Sequence, residues 1–267
     1  MNLTNRVTAL LERRSALRLA RAAAALLHLD ARFRAAFPEE RRSAGVARPL
    51  ELESAVRGCL ADPRLRSHLP ARLASRLETL LSPAPRERVL PSVGSQATLA
   101  RALLHAAAEL AHDVDAPHLI SGQLDWLRGD AAAAERGFAK AAEVATTPRG
   151  AAHALLHRAI LSADDGRVDD ALRLLARASA LDPLQLAAHW TSAVYATAVR
   201  RPALADYHFR AALRVGAPRD LRARGLALER QLLALAHRGV GAPTQARQSA
   251  ARLLTQTSVA LTAGVVA

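Results

Sequence analysis

Apolar positions recur at helical spacing along most of the chain. Leu3, Val7, Leu10, Leu11, Leu17, Ala20, Ala24 and Leu27 trace one face of a long helix over residues 3–36. That pattern stops at Phe37-Pro38, because proline disfavours the helical conformation of the residue before it. Glu39–Leu50 reads as a charged connector. Beyond it the periodicity predicts short helices over 50–61 and 71–82, then a proline-rich stretch (Pro83, Pro85, Pro91). A third helix is expected over 95–112, with Ser95 as its cap.

From residue 116 the pattern repeats. Gly129-Asp130, Ala134, Phe138, Ala141 and Pro148 are followed by Gly166-Arg167, Ala171, Leu175, Ala178 and Pro183. A third set runs Arg200-Arg201, Ala205, Phe209, Ala212 and Pro218. The turn positions are 37 and then 34 residues apart, and the prolines 35 and 35. Self-similarity at this period marks stacked helical hairpins, each of which buries its apolar face only against neighbours. Glycine at the turn permits a tight reversal, the alanines permit close helix approach, and the Phe or Leu between them fills the groove. Proline after the second helix is expected to stop it. After Pro218, leucines at 221, 226, 228, 232, 233 and 235 predict a closing helix over 219–238, then a turn at Gly239–Pro243 and a helix over 244–256. The tail from Thr257 to Ala267 is expected to fray.

These markers make residues 116–218 similar to the tetratricopeptide repeat family. The resemblance rests on Gly122, Gly129, Ala134, Phe138, Ala141 and Pro148; on Ala159, Gly166, Ala171, Leu175, Ala178 and the ending Leu181-Asp182-Pro183; and on Ala193, Ala205, Phe209, Ala212 and Pro218. Arg200 departs from it at the turn-glycine position. The resemblance implies an all-α, right-handed helical-hairpin solenoid with extra N-terminal helices and a C-terminal capping helix. The chain then divides into an N-terminal helical region (1–115, degenerate repeats or a cap), three repeats (116–218) and capping helices with the tail (219–267). It also implies a concave surface formed by the first helix of each hairpin. On that surface fall Leu119, Gln123 and Trp126, then His153, His157 and Ile160, then Ala187, Trp190, Val194 and Thr197. Such a groove would hold a peptide or helix of another protein, with tryptophan as anchor; the alternative is that Trp126 and Trp190 are core residues. The Lys/Asn clamp by which some members grip a C-terminal carboxylate is missing from these positions.

Composition agrees with the periodicity. Ala (63), Leu (45) and Arg (36) make up just over half of the 267 residues, while the chain has two isoleucines and eight aromatics. Residues that lose little freedom in a helix dominate, and those that favour pleated surfaces are scarce, which excludes a sheet-based fold. Six of the eight aromatics lie in the repeat zone.

The net charge of +13 is unevenly spread: +6 over residues 1–50, zero over 51–115, +2 over 116–218 and +5 over 219–267. Arg13, Arg14, Arg18 and Arg21 form a basic patch on the first helix. Binding of nucleic acid or another polyanion there is the alternative to a protein-interaction role. With a single lysine, however, the arginine count also carries a GC-rich coding bias.

The search for chemistry returns little. Cys59 lies in an apolar stretch and reads as a small core residue. His153 and His157 share one helix face at a chelating spacing, but no third ligand and no zincin glutamate accompany them. Asp164-Asp165 and Asp169-Asp170 flank the Gly166 turn, the second pair where a helix dipole favours negative charge. No nucleotide-binding loop or nucleophile elbow is present. A non-enzymatic adaptor without metal or cofactor is therefore expected. No apolar run reaches the length of a membrane span, and no secretory signal fits, so a cytoplasmic location is expected.

Overall fold

Small residues repeat at helical intervals, and this lets the helices of the chain pair closely. The computed structural model describes residues 3–27, 49–81 and 93–216, which hold eleven α-helices and no strand. The predicted end of the first helix, the charged connector, the proline-rich stretch and everything predicted beyond residue 216 lie outside the described residues. Two compact units divide the chain, Met1–Thr146 and Thr147–Ala267.

The first unit contains α1 (Leu3–Leu27), α2 (Pro49–Leu60), α3 (Pro63–His68), α4 (Ala71–Leu81), α5 (Val93–Leu110), α6 (Asp115–Leu127) and α7 (Ala131–Val144). α1 packs against α2, α5 and α6, and α6 pairs with α7. Its second half is the spine of the core: Ala16, Leu19, Ala20, Ala23 and Leu26 meet Val56, Cys59, Leu65 and Leu77 from α2–α4 and Leu103, Leu104 and Ala107 from α5. The first half of α1 leaves Val7 and Leu10 exposed. Two predicted details change. α5 begins at Val93, so Ser95 lies in its first turn rather than capping it. α3 was not expected; Pro63 starts it, where the missing N–H is harmless, and Leu65 anchors it in the core.

Asp62, between α2 and α3, ties that corner to α1. It accepts from the Ser15 hydroxyl (2.8 Å) and from Nη1 of Arg18 (3.0 Å). Nearby Cys59 is fully buried, and burial pushes its thiol up to about 12, so no reactive thiolate forms near neutral pH.

The second unit contains α8 (Pro148–Asp164), α9 (Val168–Leu181), α10 (Leu186–Ala198) and α11 (Pro202–Val215), with α8 paired to α9, α9 to α10 and α10 to α11. Pro148, expected to stop a helix, instead begins α8, and the Thr147 hydroxyl caps it by accepting from Gly150 N–H (3.1 Å). Asp169 and Asp170 occupy the first turn of α9, as expected. They belong to an exposed set of ion pairs: Asp170 with Arg173 and Arg167, and Asp169 with Arg201. Such surface pairs add little stability individually.

Candidate functional site

The pairs α6–α7, α8–α9 and α10–α11 reverse direction through the same backbone arrangement. The turn residue is left-handed in each: Gly129 (φ +82°), Gly166 (φ +81°) and Arg200 (φ +58°). Its N–H donates three residues back, to Trp126, Ala163 or Thr197 (2.9–3.1 Å). The following N–H donates five residues back, to Asp125, Ser162 or Ala196 (2.8–3.0 Å). These paired bonds satisfy carbonyls that a helix end otherwise leaves open. Arg200 therefore adopts the conformation that glycine adopts in the other two turns, at a steric penalty of about 1–2 kcal/mol.

The second helix of each hairpin presents the same buried seam. Ala134, Phe138 and Ala141 on α7, Ala171, Leu175 and Ala178 on α9, and Ala205, Phe209 and Ala212 on α11 are all buried. In the first hairpin, contact between the helices is closest at Gly122 and Gly137. A Cβ on Gly137 would stand 2.9 Å from Gly122 Cα, and one on Gly122 would stand 2.7 Å from the Phe138 ring.

Of the ten residues expected on the groove, Ala187 and Thr197 are half-buried, and the other eight divide by burial. In the first unit, Leu119 and Trp126 are half-buried and Gln123 is fully buried. Trp126 meets Phe138 edge-on at 6.4 Å, so its ring backs the seam while part of it stays accessible. In the second unit, His153 and Ile160 are half-buried, whereas His157 is buried with its ring 4.9 Å from that of His153. Trp190 and Val194 are interior residues of α10, which buries every position from Ala188 to Ala196. A helix enclosed on all sides keeps its apolar residues for packing, and Trp190 spends its ring on Phe209, 6.0 Å away. A partner-anchoring role for Trp190 and Val194 is thus replaced by a structural one.

The arginine cluster is also divided. Arg13 pairs with Asp113 (3.3 Å) and Arg18 with Asp62 (3.0 Å), while Arg14 and Arg21 are exposed. Two of the four charges are thus balanced by carboxylates of their own unit. Among the described residues no three His, Cys, Asp or Glu side chains gather as a metal site requires, and no helix is long and apolar enough to cross a membrane.

One feature escaped the sequence reading. His189 at the start of α10 and His208 on α11 are both buried, with their Nδ1 atoms 3.2 Å apart, beside a groove of about 590 Å³. The available signal was positional: His208 directly precedes the Phe209 marker, where the other hairpins carry Gly137 and Leu174. No family model matches the chain, and neither a curated protein nor a solved structure is similar enough to match it.

Proposed function

We propose that this chain is a non-enzymatic protein-interaction module of the tetratricopeptide type, a right-handed solenoid of helical hairpins that holds a peptide or helix of a partner protein. The observation that carries this reading is the threefold recurrence of one hairpin: two helices, a left-handed turn residue closed by the same pair of hydrogen bonds, and a buried Ala-x3-Phe/Leu-x2-Ala seam. Hairpins that share a build bury their seams on one side and leave the first helices to present side chains. Leu119 and Trp126 in the first unit, and His153 and Ile160 in the second, are first-helix residues that keep accessible surface. Aromatic and aliphatic side chains of this kind supply most of the binding energy in helix and peptide recognition. The polyanion alternative gains less support, because Arg13 and Arg18 are already paired.

A photocrosslinking amino acid placed at Leu119 or at Ile160 tests the reading, with Arg136 and Arg177, exposed on second helices, as control positions. Covalent adducts with a cellular polypeptide are expected from the first-helix positions and not from the controls. Adducts confined to Arg136 and Arg177, or none from any position, would overturn it.

A further inference from the structure

The groove beside the histidine pair lies on the second-helix side of the second unit, apart from the residues named above. It runs between α9, the connector before α10, and α11, and Ala180, Pro183, Leu184 and Ala211 form much of its wall. Its volume of about 590 Å³ falls among cavities that enclose small ligands, about 300–1,000 Å³.

Hydrogen-bond geometry fixes the polarity of its floor. The Pro183 carbonyl can only accept, so Nε2 of His189, 2.9 Å away, donates to it. In the neutral ring Nδ1 of His189 is then an acceptor, and the 3.2 Å contact requires the proton on Nδ1 of His208. His208 is 7% exposed and lines the groove. Its Nε2 is left as an acceptor, with no hydrogen-bond partner among the described residues. Burial first, and then the neighbouring His189, lower the His208 pKa to about 4, which keeps the ring neutral. At the rim Arg214 is exposed, with no carboxylate paired to it among the described residues.

An apolar cleft with one cation at its rim and an imidazole acceptor selects a ligand with an apolar body and a single acidic end. We propose that this groove binds a small apolar carboxylic acid. Its carboxyl group lies between Arg214 and His208, and its hydrocarbon lies against Ala180, Leu184 and Ala211. The ligand's acid proton, retained or taken up from solvent, is shared with Nε2 of His208, and Arg214 donates to the second oxygen. The other ionisable groups at this site are His189, held by Pro183, and Tyr207, with its ring edge-on to His208 at 5.1 Å. Asp182 in the connector accepts from the Leu184 N–H. Because the acid binds in its protonated form, affinity rises as pH falls toward the ligand's own pKa.

Calorimetric titration of the full chain with octanoate, octan-1-ol and octylamine tests this. Saturable one-to-one binding of octanoate is expected, with the alcohol and the amine about tenfold weaker or more. Arg214→Gln should weaken octanoate about tenfold, and Ala180→Leu, an exposed position whose new side chain enters the groove, should abolish binding. Octanoate affinity should also rise between pH 7.5 and 5.5. Where His208→Gln fails to fold, nitrogen NMR of the wild-type imidazoles replaces it: octanoate should move the His208 Nε2 signal away from that of an unprotonated, unbonded nitrogen. Absence of saturable octanoate binding, equal binding of octan-1-ol, or unchanged binding in Ala180→Leu overturns the proposal.

Discussion

In the first hairpin, Gly122 and Gly137 bring α6 and α7 so close that one added carbon on Gly137 would stand 2.9 Å from Gly122 Cα and 3.0 Å from the His118 carbonyl. In the third hairpin the corresponding positions carry Ala193 and His208, and two imidazoles, His189 and His208, meet between α10 and α11 with centroids 5.5 Å apart and ring planes at 38°. Both hairpins keep the same turn and the same Ala-Phe-Ala seam. The shared seam sets how the helices pair, and the variable position sets what the pair is sensitive to. A glycine contact is intolerant of added atoms and indifferent to protons, whereas a histidine contact is sensitive to protons.

The largest separation should come from the two tryptophans. Trp190 is 6% exposed and packed on Phe209, so Trp190→Ala should destabilise the third hairpin by about 3–5 kcal/mol. Trp126 is half-buried, and Trp126→Ala should cost about 2 kcal/mol. Urea titration followed by far-UV circular dichroism reads the loss of helix in each variant. Equal losses at the two positions would remove the distinction between them.

Acid should act on the third hairpin through His208, while burial lowers the His118 pKa in the first hairpin as well. The folded His208 ring resists protonation down to about pH 4, against an ordinary value of 6.5. Its contribution is complete above pH 6.5, is lost as the pH falls toward 4, and amounts to on the order of 2 kcal/mol. Denaturant titrations at pH 7.5, 5.5 and 4 should show this loss through Trp190. His208→Leu should flatten it, and a slope that survives that substitution assigns the titration elsewhere. The first hairpin breaks in the opposite way. Gly137→Ala gains helix propensity but forces backbone apart, so a net loss of about 1–2 kcal/mol is expected at every pH.

The all-helical class, the three hairpin turns and the nine seam residues were legible because they depend on periodicity and on residue size, both written locally in the chain. α3 was not legible, since six residues after a proline carry too little periodicity to separate from a loop. Four of the ten expected groove residues proved buried for a different reason. Register places Gln123, His157, Trp190 and Val194 on a helix face, but whether that face is covered depends on neighbours far away in sequence. In α10 every position from Ala188 to Ala196 is buried. The ion pairs of Arg13 and Arg18 also join residues 100 and 44 positions apart, which no local pattern encodes.

The smallest expected effect bears on what the two hairpins share. Gly129 and Arg200 occupy the same left-handed turn position, yet only glycine enters that region without a clash between Cβ and the following carbonyl. The three turns have matching closing bonds, so glycine and arginine share one backbone arrangement at this position. Arg200→Gly should therefore stabilise the third hairpin by about 1 kcal/mol, less the greater freedom that glycine has in the unfolded chain. Gly129→Ala should destabilise the first by a similar amount, on the order of 1 kcal/mol, although a Cβ there meets nothing within 4 Å. The opposite signs of the two substitutions distinguish backbone conformation from packing, and thermal unfolding of both variants measures them. If Arg200→Gly loses stability instead, the arginine side chain holds the third turn through contacts worth more than the strain it brings.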